Sequence, residues 1–448
     1  SAHASFKSWR KHILFRMKHA IVLVLGDIGR SPRMQYHSIS LAEMPNTRVT
    51  VVGYEGERCV PQLTSKENIT LHTFKPIAVS RSLFILSGPL KVILQLFQLF
   101  WILLFCVGSF DVLLVQNPPT IPTLYVGWLS CRLKRAKFVI DWHNMGYTVL
   151  SLSIGENHLF VKIARVFEKT FGRLADGHFC VTKAMQAWLQ DNWDISPVVL
   201  YDKPPQFFQP TSVEAQHELF TRLREDFKPA EEFAQVVDDN STWRTVQDKD
   251  RSIKLRQDRP ALVISSTSWT EDENFGLLFD ALVQFEEIAQ TNTNLPNVVV
   301  AVTGKGPQKA MYLERIAQLE LQHVRIVTLW LEASDYPLLL GSADLGICLH
   351  TSTSGLDLPM KVLDMFGCQV PVCAVDFKCL NELVKHDENG LIFHSSDELC
   401  NQLISLLSDY PKNTTLQEYR SNLSHVEHWP ENWTQHAASV FKKFMLDE

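Results

Sequence analysis

From residue 20 onward the chain alternates short, wholly apolar runs with longer stretches whose apolar residues recur every three or four positions. The runs predict strands at 20–25, 49–54, 69–73, 112–116, 138–141, 177–181 and 198–200. The periodic stretches predict helices at 32–42, 90–107, 121–133, 158–174 and 183–192. A strand covered on both faces is apolar throughout, so this alternation predicts a parallel sheet with helices on either side. The rhythm breaks over 211–258, which is rich in Glu, Asp, Lys, Arg and Gln and reads as a charged linker or a mobile insertion. It resumes after Arg259-Pro260 with strands at 261–265, 298–303, 324–328, 345–349 and 370–375. A helical pattern over 429–444 ends the chain. The expected organisation is two doubly wound α/β domains, 20–210 and 259–428, with the linker 211–258 between them and a terminal helix within 429–448. Ligands of such domains gather at the carboxyl ends of the strands, so the two are expected to face a cleft.

The length of 448 residues agrees with two cores rather than one. One segment stands apart from the alternation. Residues 92–107, VILQLFQLFWILLFCV, are apolar on nearly every face, yet as a helix they would reach only about 24 Å against the ~30 Å of a bilayer's hydrocarbon. They also contain Gln95 and Gln98. Two readings stay open: a helix buried in a large α/β domain, or one that dips into a membrane surface. The net charge of -6 argues against nucleic acid as the main partner, although Lys7, Arg10, Lys11, Arg16 and Lys18 make the start of the chain basic. Nine cysteines, an odd number, sit mostly in apolar contexts such as Cys106, Cys180, Cys348 and Cys373. No CxxC pair or Cys/His cluster offers metal-ligand spacing, so buried thiols in a reducing compartment are expected. The sequons at Asn68, Asn240, Asn413, Asn422 and Asn432 would then go unused.

The most informative motif is LGICLHTSTSGLDLPMKVLDMFG, 345–367. An apolar strand ends at Leu349, a loop of small hydroxyl residues follows, and after Gly355 a helix begins near Pro359. Backbone N–H groups around Ser354 and Gly355 and the positive end of that helix suit a diphosphate. Lys361 would add a point charge, and Asp364 could accept hydrogen bonds from ribose hydroxyls. A capped helix with no ligand is the alternative. His350 could face the cleft or sit in the core. In VTGKGP, 302–307, Gly306 allows close backbone approach to a nucleotide and Lys305 could reach its phosphates. In GDIGRSPRMQYH, 26–37, Gly26 and Gly29 permit a tight turn, Pro32 suits the first turn of a helix, and Arg30 and Arg33 could hold an anion beside it. FVIDWHNMGY, 138–147, places Asp141, His143 and Asn144 past a strand end, where a carboxylate could orient a histidine as general base. SSTSWTEDENF, 265–275, carries an acidic run of the wrong sign to grip phosphate.

With QNPPTIPT (116–123), FGRLADGHFCVT (171–182), YDKPPQFF (201–208) and LVKHDENGLIF (383–393), these motifs run through both halves of the chain. The chain resembles the GT-B glycosyltransferases, whose fold is two Rossmann-like domains facing a cleft. More closely, it resembles the eukaryotic chitobiosyldiphosphodolichol β-mannosyltransferases of the N-glycosylation pathway. The resemblance implies inverting transfer of mannose from GDP-mannose to the 4-hydroxyl of the terminal GlcNAc of dolichol-diphosphate-linked chitobiose. It implies work at the cytosolic face of the endoplasmic reticulum membrane, no catalytic metal or other cofactor, and a complex with other early mannosyltransferases of the pathway. The family ordinarily begins with a membrane-spanning helix. None is read ahead of residue 20, so a truncated or spliced form is expected and the mode of anchoring stays open. Many GT-B enzymes also carry an Arg/Lys pair after the first strand of the second domain, where this chain has Glu271-Asp272-Glu273. Of two glutamates usually eight positions apart, Asp364 stands for the second, while Asp357 is only seven positions earlier.

On this resemblance His143 takes the proton with help from Asp141, or the two exchange roles. Lys305, Gly306, Lys361 and the N–H groups at Ser354 and Gly355 hold the leaving diphosphate, and Asp364 binds the ribose. Arg30, Arg33 and Asn144 serve the acceptor or a phosphate. The alternative is an inactive or altered-specificity paralogue that acts as a binding partner in the same pathway.

Overall fold

The computed structural model describes residues 17–77, 84–234, 238, 240–270, 273–332, 334–352 and 354–445. Lys7, Arg10, Lys11, Arg16, Glu271 and Asp272 lie outside them. The chain forms two compact units. The first runs to Tyr201 and takes the chain back from Pro430 onward; the second is Asp202–Trp429.

Seven parallel strands make the sheet of the first unit: β1 (Lys18–Asp27), β2 (Thr47–Tyr54), β3 (Ile69–Phe74), β4 (Val112–Asn117), β5 (Lys137–Trp142), β6 (Gly177–Cys180) and β7 (Val198–Val199). Their spatial order is β3-β2-β1-β4-β5-β6-β7. Residues Ala20, Ile21, Val22, Leu23 and Val24 of β1 and Val112, Leu113, Leu114 and Val115 of β4 are wholly buried, as strands covered on both faces must be. The covering helices include α1 (Pro32–Ala42), α2 (Phe84–Trp101), α3 (Thr123–Lys134), α4 (Gly146–Ile154), α5 (Leu159–Gly172) and α6 (Lys183–Trp193). Each expected strand and helix of this half is present within a few residues of its predicted bounds, α2 excepted, which starts earlier.

The apolar segment is not buried on every face. α2 continues into a π-helical turn, Ile102–Cys106. Leu99, Ile102 and Leu103 are buried, and Gln95 turns inward to donate to the Tyr54 hydroxyl at 2.7 Å. Phe97, Trp101 and Phe105 are 65%, 63% and 68% exposed on the other side. Among the described residues no helix is long and apolar enough to cross a membrane.

The second unit corrects the reading of 211–258 as a linker. That stretch forms α7 (Val213–Arg222) and an antiparallel hairpin of β8 (Thr245–Gln247) and β9 (Ile253–Leu255). Phe220, Phe227 and Trp243 are fully buried, with Trp243 stacked on Phe227 at 5.4 Å and edge-on to Phe220 at 4.8 Å. Arg244 is buried beside them, making two 3.0 Å bonds to Asp344 and a 2.7 Å bond to the Ser342 carbonyl. A few large apolar residues at irregular spacing anchor the stretch, and its many surface charges hide them from a composition reading.

The parallel sheet of this unit holds β10 (Ala261–Ser266), β11 (Val298–Thr303), β12 (Val324–Leu329), β13 (Leu345–Cys348), β14 (Val372–Val375) and β15 (Gly390–Phe393), in the order β12-β11-β10-β13-β14-β15. The short β15 was not anticipated. Among its helices are α8 (Phe275–Ala289) and α9 (Met360–Gly367), the latter with Pro359 at its N-cap, where a start was expected. The terminal pattern is two helices, α10 (Trp429–His436) and α11 (Ala438–Met445). They are no separate appendage: Phe441 of α11 stacks on Phe179 of β6 at 5.5 Å and on Trp433 of α10 at 5.7 Å. In each sheet the order reverses once, between β1 and β4 and between β10 and β13, and the crevice at such a reversal is where the loops bearing the motifs emerge.

Candidate active site

In the first unit the chemistry converges on Asp141, near the end of β5 and wholly buried. Pro32 opens α1, and Arg33 and His37 lie four residues apart on one face of it. That spacing brings both onto Asp141. Arg33 donates through Nε at 2.7 Å and Nη2 at 2.9 Å, and its Nη1 reaches the Leu200 carbonyl at 2.9 Å. His37 Nε2 lies 3.2 Å from Asp141 Oδ2. His143, two residues beyond Asp141, places Nε2 at 2.8 Å from the same oxygen. Burial opposes the charge of Asp141, but the Arg33 guanidinium and then His143 outweigh it and hold the carboxyl well below its ordinary range. Burial lowers the basicity of His37. The His143 ring is only partly covered, and its Nδ1 has no hydrogen-bond partner among the described residues.

A second buried carboxylate holds the loop that carries His143. Glu168 of α5 accepts from the Gly146 and Tyr147 N–H groups at 2.8 and 3.1 Å and from Asn117 Nδ2 at 2.7 Å. Asn117 in turn accepts from Thr120 at 2.8 Å and receives the His143 N–H on its carbonyl at 2.9 Å. Burial raises the pKa of Glu168 against these donors. Gly146 is needed here, because a Cβ would meet Thr120 Oγ1 at 2.0 Å.

Three sequence expectations for this unit need correction. Arg33 is no phosphate grip, since its guanidinium is spent on Asp141 and Leu200. Asp141 is buried and clamped by arginine, which makes it a poor base and weighs against its exchanging roles with His143. Arg30, expected to hold an anion, is exposed and paired with Glu57 at 3.0 Å, while Asp27 accepts the Gly29 N–H at 2.9 Å. Asn144 shapes the turn, its side-chain oxygen accepting from Met145 N at 2.7 Å.

In the second unit the loops after β10 and β13 meet the start of α9 around Glu273. This buried carboxylate accepts from the Thr267 hydroxyl at 2.9 Å, from the Ser268 N–H and from Lys361 Nζ, with His350 Nδ1 at 3.7 Å. Burial opposes its ionisation, yet His350, Lys361 and Ser268 together hold its pKa at about 2. The acidic run therefore supplies the counter-ion of the lysine expected at the diphosphate. Lys361 is paired, which corrects its reading as a free point charge.

Several described residues of the hydroxyl loop bond to one another. Ser352 donates to Asp357, the Gly355 N–H donates to Ser352 Oγ at 2.9 Å, and the Leu356 N–H to Ser354 Oγ at 3.2 Å. Those two N–H groups are not open to an anion here. Gly355, at φ +70°, makes the turn possible. Lys305 rests on the Trp330 ring at 3.6 Å. A Cβ at Gly306 would meet the Ser268 carbonyl at 1.7 Å, so the close approach made there is to the loop after β10. Asp364 is half-buried, and its carboxyl group carries no hydrogen bond or ion pair among the described residues. Burial pushes its carboxyl well above the ordinary range. No group of three or more His, Cys, Asp or Glu among the described residues is placed to hold a metal ion.

The sequence profile described as glycosyl transferases group 1 matches residues 246–422. A protein of Arabidopsis thaliana named UDP-glycosyltransferase TURAN is 48% identical over 421 residues, 88% of this chain and 90% of its own. The human chitobiosyldiphosphodolichol beta-mannosyltransferase is 46% identical over 440 residues, 96% of this chain and 93% of its own. This chain belongs to the chitobiosyldiphosphodolichol β-mannosyltransferase family. The Dictyostelium discoideum protein of the same name is 39% identical over 93% of the chain. Among solved structures, Anabaena HepE with UDP and glucose superposes at a TM-score of 0.62 with 19% identity, covering 95% of this chain and all of that one. Sucrose-phosphate synthase from Thermosynechococcus elongatus gives 0.62 with 12% identity over 96% of this chain. At such identities the likeness is one of fold: two parallel-sheet, Rossmann-like units of the GT-B kind.

As a chitobiosyldiphosphodolichol β-mannosyltransferase family member the chain is a glycosyltransferase, and the bland binding-partner alternative is not favoured. Sequence reasoning missed Glu273, Glu168, Asn117 and His37 as parts of the site. Single buried carboxylates leave no composition signal. His37 could have been found from its four-residue spacing to Arg33.

Proposed function

We propose that the chain transfers mannose from GDP-mannose to the 4-hydroxyl of the terminal GlcNAc of dolichol-diphosphate-linked chitobiose, with inversion, at the cytosolic face of the endoplasmic reticulum membrane. The observation that carries the chemistry is the His143 ring, held by an ionised, buried Asp141 through Nε2 and open at Nδ1. A neutral imidazole so held takes the proton of the attacking hydroxyl at Nδ1, and Asp141 stabilises the imidazolium that forms. As the hydroxyl oxygen bonds to the anomeric carbon, the bond to the diphosphate oxygen breaks and GDP leaves.

The departing charge falls to the start of α9 and to Lys361, which Glu273 holds in place until a diphosphate arrives. Asp364, unpartnered beside that helix start, accepts from the ribose hydroxyls. The exposed aromatic side of α2 faces the bilayer that carries the acceptor. The assay is label transfer from GDP-mannose to GlcNAc2-diphosphate-phytanyl, with UDP-sugars in parallel because one relative is named for a UDP donor. The expected product is a β-1,4-linked mannoside formed from GDP-mannose alone. Transfer only from a UDP-sugar, or none to the lipid-linked acceptor, overturns this reading.

A further inference from the structure

The end of the chain returns to the first unit and touches the Asp141 cluster from behind. Trp433 of α10 donates its indole N–H to His37 Nδ1 at 3.0 Å. A ring nitrogen that accepts a hydrogen bond carries no proton, so a neutral His37 bears its single proton on Nε2, the atom 3.2 Å from Asp141 Oδ2. Oδ2 also takes Arg33 Nε at 2.7 Å and His143 Nε2 at 2.8 Å. The charged and titratable groups facing His37 are Asp141 on β5, Arg33 on its own helix and His143 past β5. The remaining walls are aromatic, Phe179 at 5.9 Å and Phe441 at 6.4 Å. Trp433 and His37 are both buried, and neither is placed to touch a substrate.

We propose that Trp433 and His37 are positioning residues: the indole fixes His37 as a neutral Nε2–H donor toward Asp141, and so fixes the carboxylate that orients His143. This rests on the reading of His143 as the base. Without the indole, His37 can turn a lone pair toward Asp141, which repels it, or take a second proton. An imidazolium there offsets the charge of Asp141 and weakens its hold on protonated His143. The base then becomes less basic as well as less well aimed.

The expected result for Trp433→Phe is a kcat lower by roughly ten- to a hundredfold, a part of the ~100- to 10,000-fold a positioned base contributes. KM for GDP-mannose should stay nearly constant, and the acid limb of the kcat/KM profile should move to lower pH. Glutamine in place of His37 can donate to Asp141 but cannot ionise. The double variant Trp433→Phe/His37→Gln should therefore bring the limb back, which a merely structural role for Trp433 would not do. If the limb of Trp433→Phe stays in place while His143→Ala is inactive, the inference falls and the base reading survives. If His143→Ala retains activity, the base reading itself has failed. Should the tryptophan variant not fold, imidazole nitrogen NMR of the unsubstituted chain decides: His37 should show the neutral Nε2–H tautomer, and an Nδ1–H or doubly protonated ring would overturn the inference.

Discussion

Replacing Asp141 by asparagine keeps the shape of the side chain and removes the charge on which Arg33, His37 and His143 converge. Arg33 would then be a buried cation without its partner, which costs about 3–5 kcal/mol. Asp141→Asn should accordingly lower the urea midpoint and cut kcat by about 100-fold or more. The pKa of Asp141 is depressed on folding, so its contribution is complete above the unfolded value of about 4 and is lost only as pH falls through the folded one. The substitution should therefore destabilise at neutral pH and matter progressively less in strong acid. Asp364 has the opposite sign. Its folded pKa is raised by burial, so the native state binds the proton more tightly and stability falls as pH rises from about 4 through the folded value. Asp364→Asn should raise the melting temperature at pH 7 and weaken GDP binding by calorimetry. Unchanged GDP affinity would remove Asp364 from the donor site. Asp141, His143, Arg33 and Asp364 were visible as candidates in the sequence; His37 was not. What the sequence could not say is which charges neutralise each other, and it read Arg33 and Lys361 as free when both are paired.

At the scale of elements, α2 is the informative case. Its sequence is so uniformly apolar that periodicity cannot say which face packs, and the fold answers by burying Leu99, Ile102 and Leu103. Phe97, Trp101 and Phe105 point away from that core. Substituting the three by serine should leave the melting temperature nearly unchanged, because little buried area is lost. The same variant should release the protein from liposomes and slow transfer to a lipid-linked acceptor, while a water-soluble acceptor analogue is still used. Loss of both activities together, or unfolding, would return these side chains to the core. The strands, by contrast, were legible almost to the residue, since a run buried on both faces leaves its neighbours no alternative. β15 escaped because four residues behind a turn carry too little pattern.

At the scale of the whole molecule, the chain leaves its first unit at Tyr201 and comes back at Pro430. The returning helices cover Phe179 with Phe441 and supply Trp433 to His37. Ending the chain after Trp429 should therefore expose an aromatic patch in the first unit and abolish its folding, seen as loss of soluble protein and of near-ultraviolet dichroism. A truncated chain with full activity would show that the helices are an appendage after all.

The sequence by itself determined the two parallel sheets, the loops at their carboxyl ends and the family, because buried strands and helix starts impose local patterns that survive in one dimension. Only the tertiary structure decided that Phe220, Phe227 and Trp243 of the charged stretch are core, that Glu273 is the partner of Lys361, and that Trp433 answers to His37 from 396 positions away. Contacts of that kind join residues with no fixed spacing between them. Their energies depend on burial and on the partner's charge, and neither exists until the chain has folded.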